Sequence, residues 1–234
     1  MTSIDRVWLN PAAGVTLWVD LESPSIPESL ILSDTFAFHR LAVEDAMSHG
    51  QPPKLEPYDG YLFAVFRAAD AEVDFFVGPT FLVTVHNGNS KAVAEYADNA
   101  RHSAKPLSEG SVALFHLIAD HMIDSLRPAI EGLGHRADAV EKQLLEKPSP
   151  PTVKELLDLR REGFDLLRLA RSQRDLVQRL ARREFVDIST EMAFRFRDVE
   201  DHLVRLHDDA EALADRVMSL LIVSSGAAGS RRWI

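Results

Sequence analysis

No cysteine occurs in the 234 residues. Disulfides are therefore excluded, and so is any zinc site built on thiolates. Basic residues are in deficit: 26 Lys and Arg stand against 36 Asp and Glu, a formal charge of −10. A general nucleic-acid binder needs a basic footprint for the phosphates, so this balance argues against one and suits a cationic partner. Long apolar runs are lacking as well. The longest late run is Leu220-Leu221-Ile222-Val223, whereas a membrane-spanning helix takes about 20 apolar residues. The opening Met1-Thr2-Ser3-Ile4-Asp5-Arg6 contains no apolar stretch of the secretory type. As written the chain reads as soluble, and the lack of cysteine allows a reducing compartment without showing one. Catalytic signatures are missing too: there is no G-x-S-x-G, no P-loop, no G-x-G-x-x-G after a strand and no H-E-x-x-H. No enzyme class is indicated.

What is present is a long helical seam. Met192, Phe196, Val199, Leu203, Leu206, Ala210, Leu213, Val217 and Leu220 recur at alternating gaps of four and three. Such a heptad pattern predicts a helix packed along other helices. The outer face of the same helix carries Asp198, Asp201, Asp208 and Asp215. Like charges stacked on one helix repel and ask for a counter-charge. Two sources are open: a divalent ion, or the preceding helix with Arg160, Arg161, Arg168, Arg171, Arg174, Arg179, Arg182 and Arg183.

The remainder divides into a mixed half and a helical half. Runs at 4–9 and 15–21 predict strands, followed by a helical passage from about Ser23 to Met47 that Pro52-Pro53 ends. Tyr61–Phe66, Val73–Val77 and Phe81–Val85 predict strands, the last near-continuously apolar and so central and buried. Ser90–Arg101 reads as a helix and Lys105–Gly110 as a loop. From Ser111 onward only helix signals occur. Met122, Leu126, Ile130, Leu133, Ala137, Val140 and Leu144 form one stripe, kinked by Pro128. Lys147–Thr152 is a corner, with Thr152 and Glu155 as a capping box for the next helix. Phe185–Ser189 is a second corner, with Ser189 capping the heptad helix. The domain boundaries follow: 1–108 mixed, 109–223 long helices, and a small-residue flexible tail at 224–234.

Two clusters suggest metal chemistry. His39, Glu44, Asp45 and His49 share a short helical stretch, and adjacent carboxylates with water suffice for a hard cation. His116, Asp120 and Asp124 lie at i, i+4 and i+8 beside His121, a spacing open to a transition metal. For each, a solvated helix face is the plainer reading of spacing alone.

The stretch His39-Arg40-Leu41-Ala42-Val43-Glu44-Asp45-Ala46, the run from Gln51 to Phe63, the run from Val73 to His86, and Phe196-Arg197-Asp198-Val199-Glu200-Asp201-His202 together resemble the CorA family of magnesium and cobalt transporters. The resemblance spans roughly 1–223 in the family's order. It implies an α+β fold: an N-terminal α/β/α domain with a mixed sheet, then long antiparallel helices ending in a stalk. It implies a homo-oligomer, a pentamer in the full-length family, on the cytoplasmic side of the membrane. It also implies regulatory Mg2+, or Co2+, Ni2+ or Zn2+, held between protomers. The family's regulatory acids fall on Glu44, Asp45, Asp120 and Asp198. The family's two membrane helices and Gly-Met-Asn loop have no counterpart in this sequence, so the expectation is a metal-sensing domain that does not transport alone. The alternative is a CorA-like interaction protein that offers its heptad seam to a partner helix.

Overall fold

The computed structural model describes residues 4–230 apart from 70, 89, 147, 148, 186 and 187, with side chains not described at 13, 150 and 225–230. The corner residues Lys147-Pro148 and Val186-Asp187, and the end of the tail at 231–234, lie outside the described residues. Two compact units emerge. One comprises the chain up to Asp124 with Asp175–Glu200; the other comprises Ser125–Arg174 with the chain from Asp201.

The first unit is built on a five-stranded sheet in the order β1-β5-β4-β3-β2. Its strands are β1 Leu17–Glu22, β2 Lys54–Tyr58, β3 Tyr61–Arg67, β4 Glu72–Val77 and β5 Phe81–His86. β1 runs parallel to β5 and the other pairs are antiparallel, so the sheet is mixed as expected. β5 is an inner strand with a buried apolar run. β2 escapes the sequence pattern because Lys54, Glu56 and Pro57 break its apolar run, and only an edge position tolerates that proline. Asp59-Gly60 turns β2 into β3, with Gly60 at φ +79° as this hairpin needs.

Residues 4–9 are not a strand. Arg6–Leu9 and Pro11–Ala13 are 3₁₀ turns, because Asp5 and Asn10 side chains accept from the Val7 and Ala12 amides and divert the backbone from a ladder. The helical passage at 23–47 is two helices, α1 Ile26–Asp34 and α2 Arg40–Met47. Between them Ala37 takes φ +55°, and Phe36 and Phe38 turn inward, their rings stacked 5.1 Å apart. Lys105–Ser108, read as a loop, forms a short helix, α4, after α3 Lys91–His102.

Alternation along the strands sorts the core into two faces. Phe63, Val65, Phe76, Val83 and Val85 pack with Leu32 of α1, Phe38, and Ala42 and Ala46 of α2. Phe66 and Phe75 point the other way, onto Phe115 of α5 Ser111–Asp124, at 5.7 and 5.1 Å between ring centres. Phe196, near the start of α8 Thr190–Ser230, meets Phe115 at 5.8 Å. Helices thus cover both faces of the sheet. The carbonyl of Gly78 accepts from the Ser111 hydroxyl and fixes the start of α5 on the β4–β5 turn. The helix breaks at Ser125, just where Pro128 has no N–H to offer Asp124.

The second unit is helical. α6 Leu126–Glu146 buries Ile130, Leu133, Ala137, Val140 and Leu144. Arg136 of α6 grips Glu155 and Glu162 of α7 Pro150–Ala181, and Arg216 of α8 grips Asp138 and Glu141 of α6. Glu155 is therefore spent on Arg136 rather than on a capping box. Thr152 is buried within the first turn, and its hydroxyl lies 2.8 Å from that of Ser149, whose carbonyl accepts from Val153. Ser189 does cap α8, accepting from the Met192 amide at 3.1 Å. Every residue of the predicted seam is buried. α8 continues as helix through 224–230, where composition predicts a flexible tail, and its 41 residues span about 60 Å.

Candidate metal centre

α2 is set on the sheet by Ala42 and Ala46, which turns Glu44 to solvent and leaves Asp45 half-buried. Asp45 has a cationic partner in place: the Lys54 ammonium pairs with it. Lys54 also lies 3.5 Å from Glu56 and 5.1 Å from the centre of the Phe63 ring. Asp74 on β4 acts on the same group of charges. It is only 3% exposed, and its Oδ1 has no hydrogen-bond partner. Burial, then the charges of Glu72 and Asp45, outweigh Lys54 and push its carboxyl up to about 8. His39 is not a ligand in waiting: its Nδ1 accepts from the Leu41 amide and caps α2. His49 is exposed.

The second cluster sits on α5. His116 is buried against Phe196, 5.1 Å between ring centres, and does not belong to a solvated stripe. Burial holds its imidazole below the usual range, opposed by the charge of Asp120, the Arg195 backbone and the charge of Asp198. Asp120 and Asp198 therefore bear on one buried ring and lie on the same side of this unit. Asp120 and Asp124 both raise the Tyr96 hydroxyl, after burial and Glu95. His121 lies 3.7 Å from Glu95 of α3. Glu95, Tyr96, Lys54 and Asp74 escape spacing arguments because they reach these clusters from other elements. In the second unit, His207, Asp208 and Glu211 bring one ligand atom each within 4.8 Å of one another.

The four predicted acids thus form two groups. Glu44 and Asp45 belong to α2, on one face of the sheet. Asp120 and Asp198 belong with α5 and the start of α8, on the other. Among the α7 arginines, Arg168 pairs with Asp165, and Arg179 with Glu184 and the Leu55 carbonyl.

The family model for a CorA-like Mg2+ transporter protein matches residues 13–222. The chain belongs to the CorA family. YfjQ of Bacillus subtilis, named as a metal ion transporter, is 32% identical over 209 residues, covering 87% of this chain and 66% of its own. The cobalt/magnesium transport protein CorA of Thermotoga maritima is 23% identical, covering 82% of this chain and 58% of its own. The chain thus spans less than two thirds of the length of these relatives. The soluble domain of CorA from Methanocaldococcus jannaschii has the same fold, with a TM-score of 0.79 at 16% identity, covering 89% of this chain and 87% of that one. CorA proteins are transporters and not enzymes. Among the described residues, no helix is long and apolar enough to cross a membrane.

Proposed function

We propose that this CorA-family chain is the cytosolic metal-sensing portion of a divalent cation transporter. One observation carries the reading: the acids fall into two groups on opposite faces of one sheet, so a single chain does not gather them and a neighbouring copy would complete the set. Glu44 and Asp45 from one protomer, with Asp120 and Asp198 from the next, would hold the ion. The donor set fits a hard cation, being oxygen only, and few acids suffice for Mg2+, which keeps most of its waters. Co2+, Ni2+ and Zn2+ remain alternatives that the carboxylates also accept.

A bound ion would supply positive charge among acids that otherwise repel. The chain's own residues do the rest. Lys54 neutralises Asp45 when no ion is held. Ion binding then biases the assembly toward the packing in which the carboxylates converge. A homo-oligomer, a pentamer by family resemblance, is the working form. The rival use of the seam finds no support, since Leu203 and Leu206 are already buried in the single chain.

Thermal melts and sedimentation with millimolar Mg2+ or Co2+ test this. The expected result is a raised melting temperature and larger species, both lost in Asp45→Ala and Asp198→Ala. A wild-type melt indifferent to these ions, with both variants indistinguishable from it, overturns the reading.

A further inference from the structure

Two exposed helix faces in the second unit match each other in pitch and in sign. On α7, Lys154, Arg161 and Arg168 stand a heptad apart and are exposed. Leu157 and Phe164 form the adjacent column, 44% and 43% exposed, and Arg171 continues it. On α8, Asp201, Asp208 and Asp215 stand a heptad apart and are exposed. Val204, Glu211 and Met218 form the column beside them, offset by three residues as on α7, with Val204 37% and Met218 38% exposed.

Groups of the minority sign are few. Asp158 and Asp165 interrupt the α7 face, Asp165 holding Arg168, and Arg205 interrupts the α8 face. Counting Arg160 with the α7 columns, five cations face two acids there, and four acids face one cation on α8. Exposed large apolar side chains on both faces are what an interface would cover. A helix that repeats charge every seven residues matches another helix repeating the opposite charge at the same interval.

We propose that the basic face of α7 docks on the acidic face of α8 of a second copy. Each copy carries both the basic face of α7 and the acidic face of α8, so the same contact pairs two copies reciprocally or links them head to tail. The inference rests on the self-association proposed above and names its contact, but it needs no ion.

The test is sedimentation velocity of the full chain in EDTA. In low salt the wild type should associate, and about 0.5 M salt, with a screening length of a few Å, should weaken it. Arg161→Glu with Arg168→Glu, and separately Asp201→Lys with Asp208→Lys, should each weaken association about tenfold or more. A chain carrying all four changes should recover it, because the signs are exchanged and not lost. Arg161→Gln with Arg168→Gln gives an intermediate loss without a new charge, which covers the case of a misfolded reversal. A wild type monomeric in low salt and EDTA, reversals that associate as before, or a four-fold swap that stays apart while folded each overturn the inference. None of these touches Asp45 or Asp198, so the metal-sensing reading stands or falls on its own melts.

Discussion

The Lys54 ammonium closes on the Asp45 carboxylate, and the pair is only partly screened, the two side chains being 20% and 30% exposed. A candidate sensing acid is thus held by a cation from the edge strand of its own chain. Any divalent ion that takes Asp45 competes with that lysine. Lys54→Met removes the competitor. The expected outcome is an ion-induced rise in melting temperature at several-fold lower Mg2+, with a stability change of at most about 1 kcal/mol without ion. A Mg2+ titration of the melt reads both.

Asp74 sets a pH dependence of unusual sign for a carboxylate. Its folded value, about 8, lies above its ordinary 3.8. Between these, the unfolded chain releases a proton that the folded chain keeps. Stability therefore falls as pH rises from about 4 to about 8 and levels off beyond. Asp74→Asn should flatten this slope and stabilise the protein by about 1–3 kcal/mol at pH 8, with little change at pH 4. Denaturant melts at both pH values decide it.

His116 acts on the acid side. Burial, against the pull of Asp120, lowers its folded value below 6.5. The unfolded chain then gains a proton near 6.5 that the folded chain refuses, so stability is complete above that value and is lost as pH falls beneath it. His116→Leu should remove the part of the loss below about pH 6.5 that this ring causes. A melt series across that window checks it, and an unchanged slope would assign the loss to other groups.

Gly78 has no room for a methyl group. A Cβ there would stand 2.3 Å from the Phe81 ring, which packs against Phe36 at 5.2 Å and Phe38 at 5.7 Å. Gly78→Ala should cost about 1–3 kcal/mol through displacement of that ring. Phe81→Leu in the same chain should recover part of the loss, which a double-mutant cycle of melts would measure.

Seam positions were legible because burial follows a period that the helix imposes, and no residue from Met192 to Leu220 on that stripe breaks it. Tyr61, Phe63 and Val65 were legible as strand for a similar reason. What failed was decided by competition among local polar groups. Asp5 and Asn10 took backbone amides that a strand would have paired, Pro57 and two charges disguised an edge strand, and Glu155 found Arg136 more attractive than its own helix terminus. The four acids were placed on their helices by sequence, but their company was not. Lys54, Asp74 and Glu95 come from separate elements, and no spacing along one chain announces them.

Placement of the two acid groups across the sheet has a consequence for dose response. If each ion is shared by neighbours, its apparent affinity is not a constant of the polypeptide but depends on how much polypeptide is there. Dilution would blunt the sensor as effectively as a chelator, and tethering the copies together, as a common membrane anchor does, would fix the set-point.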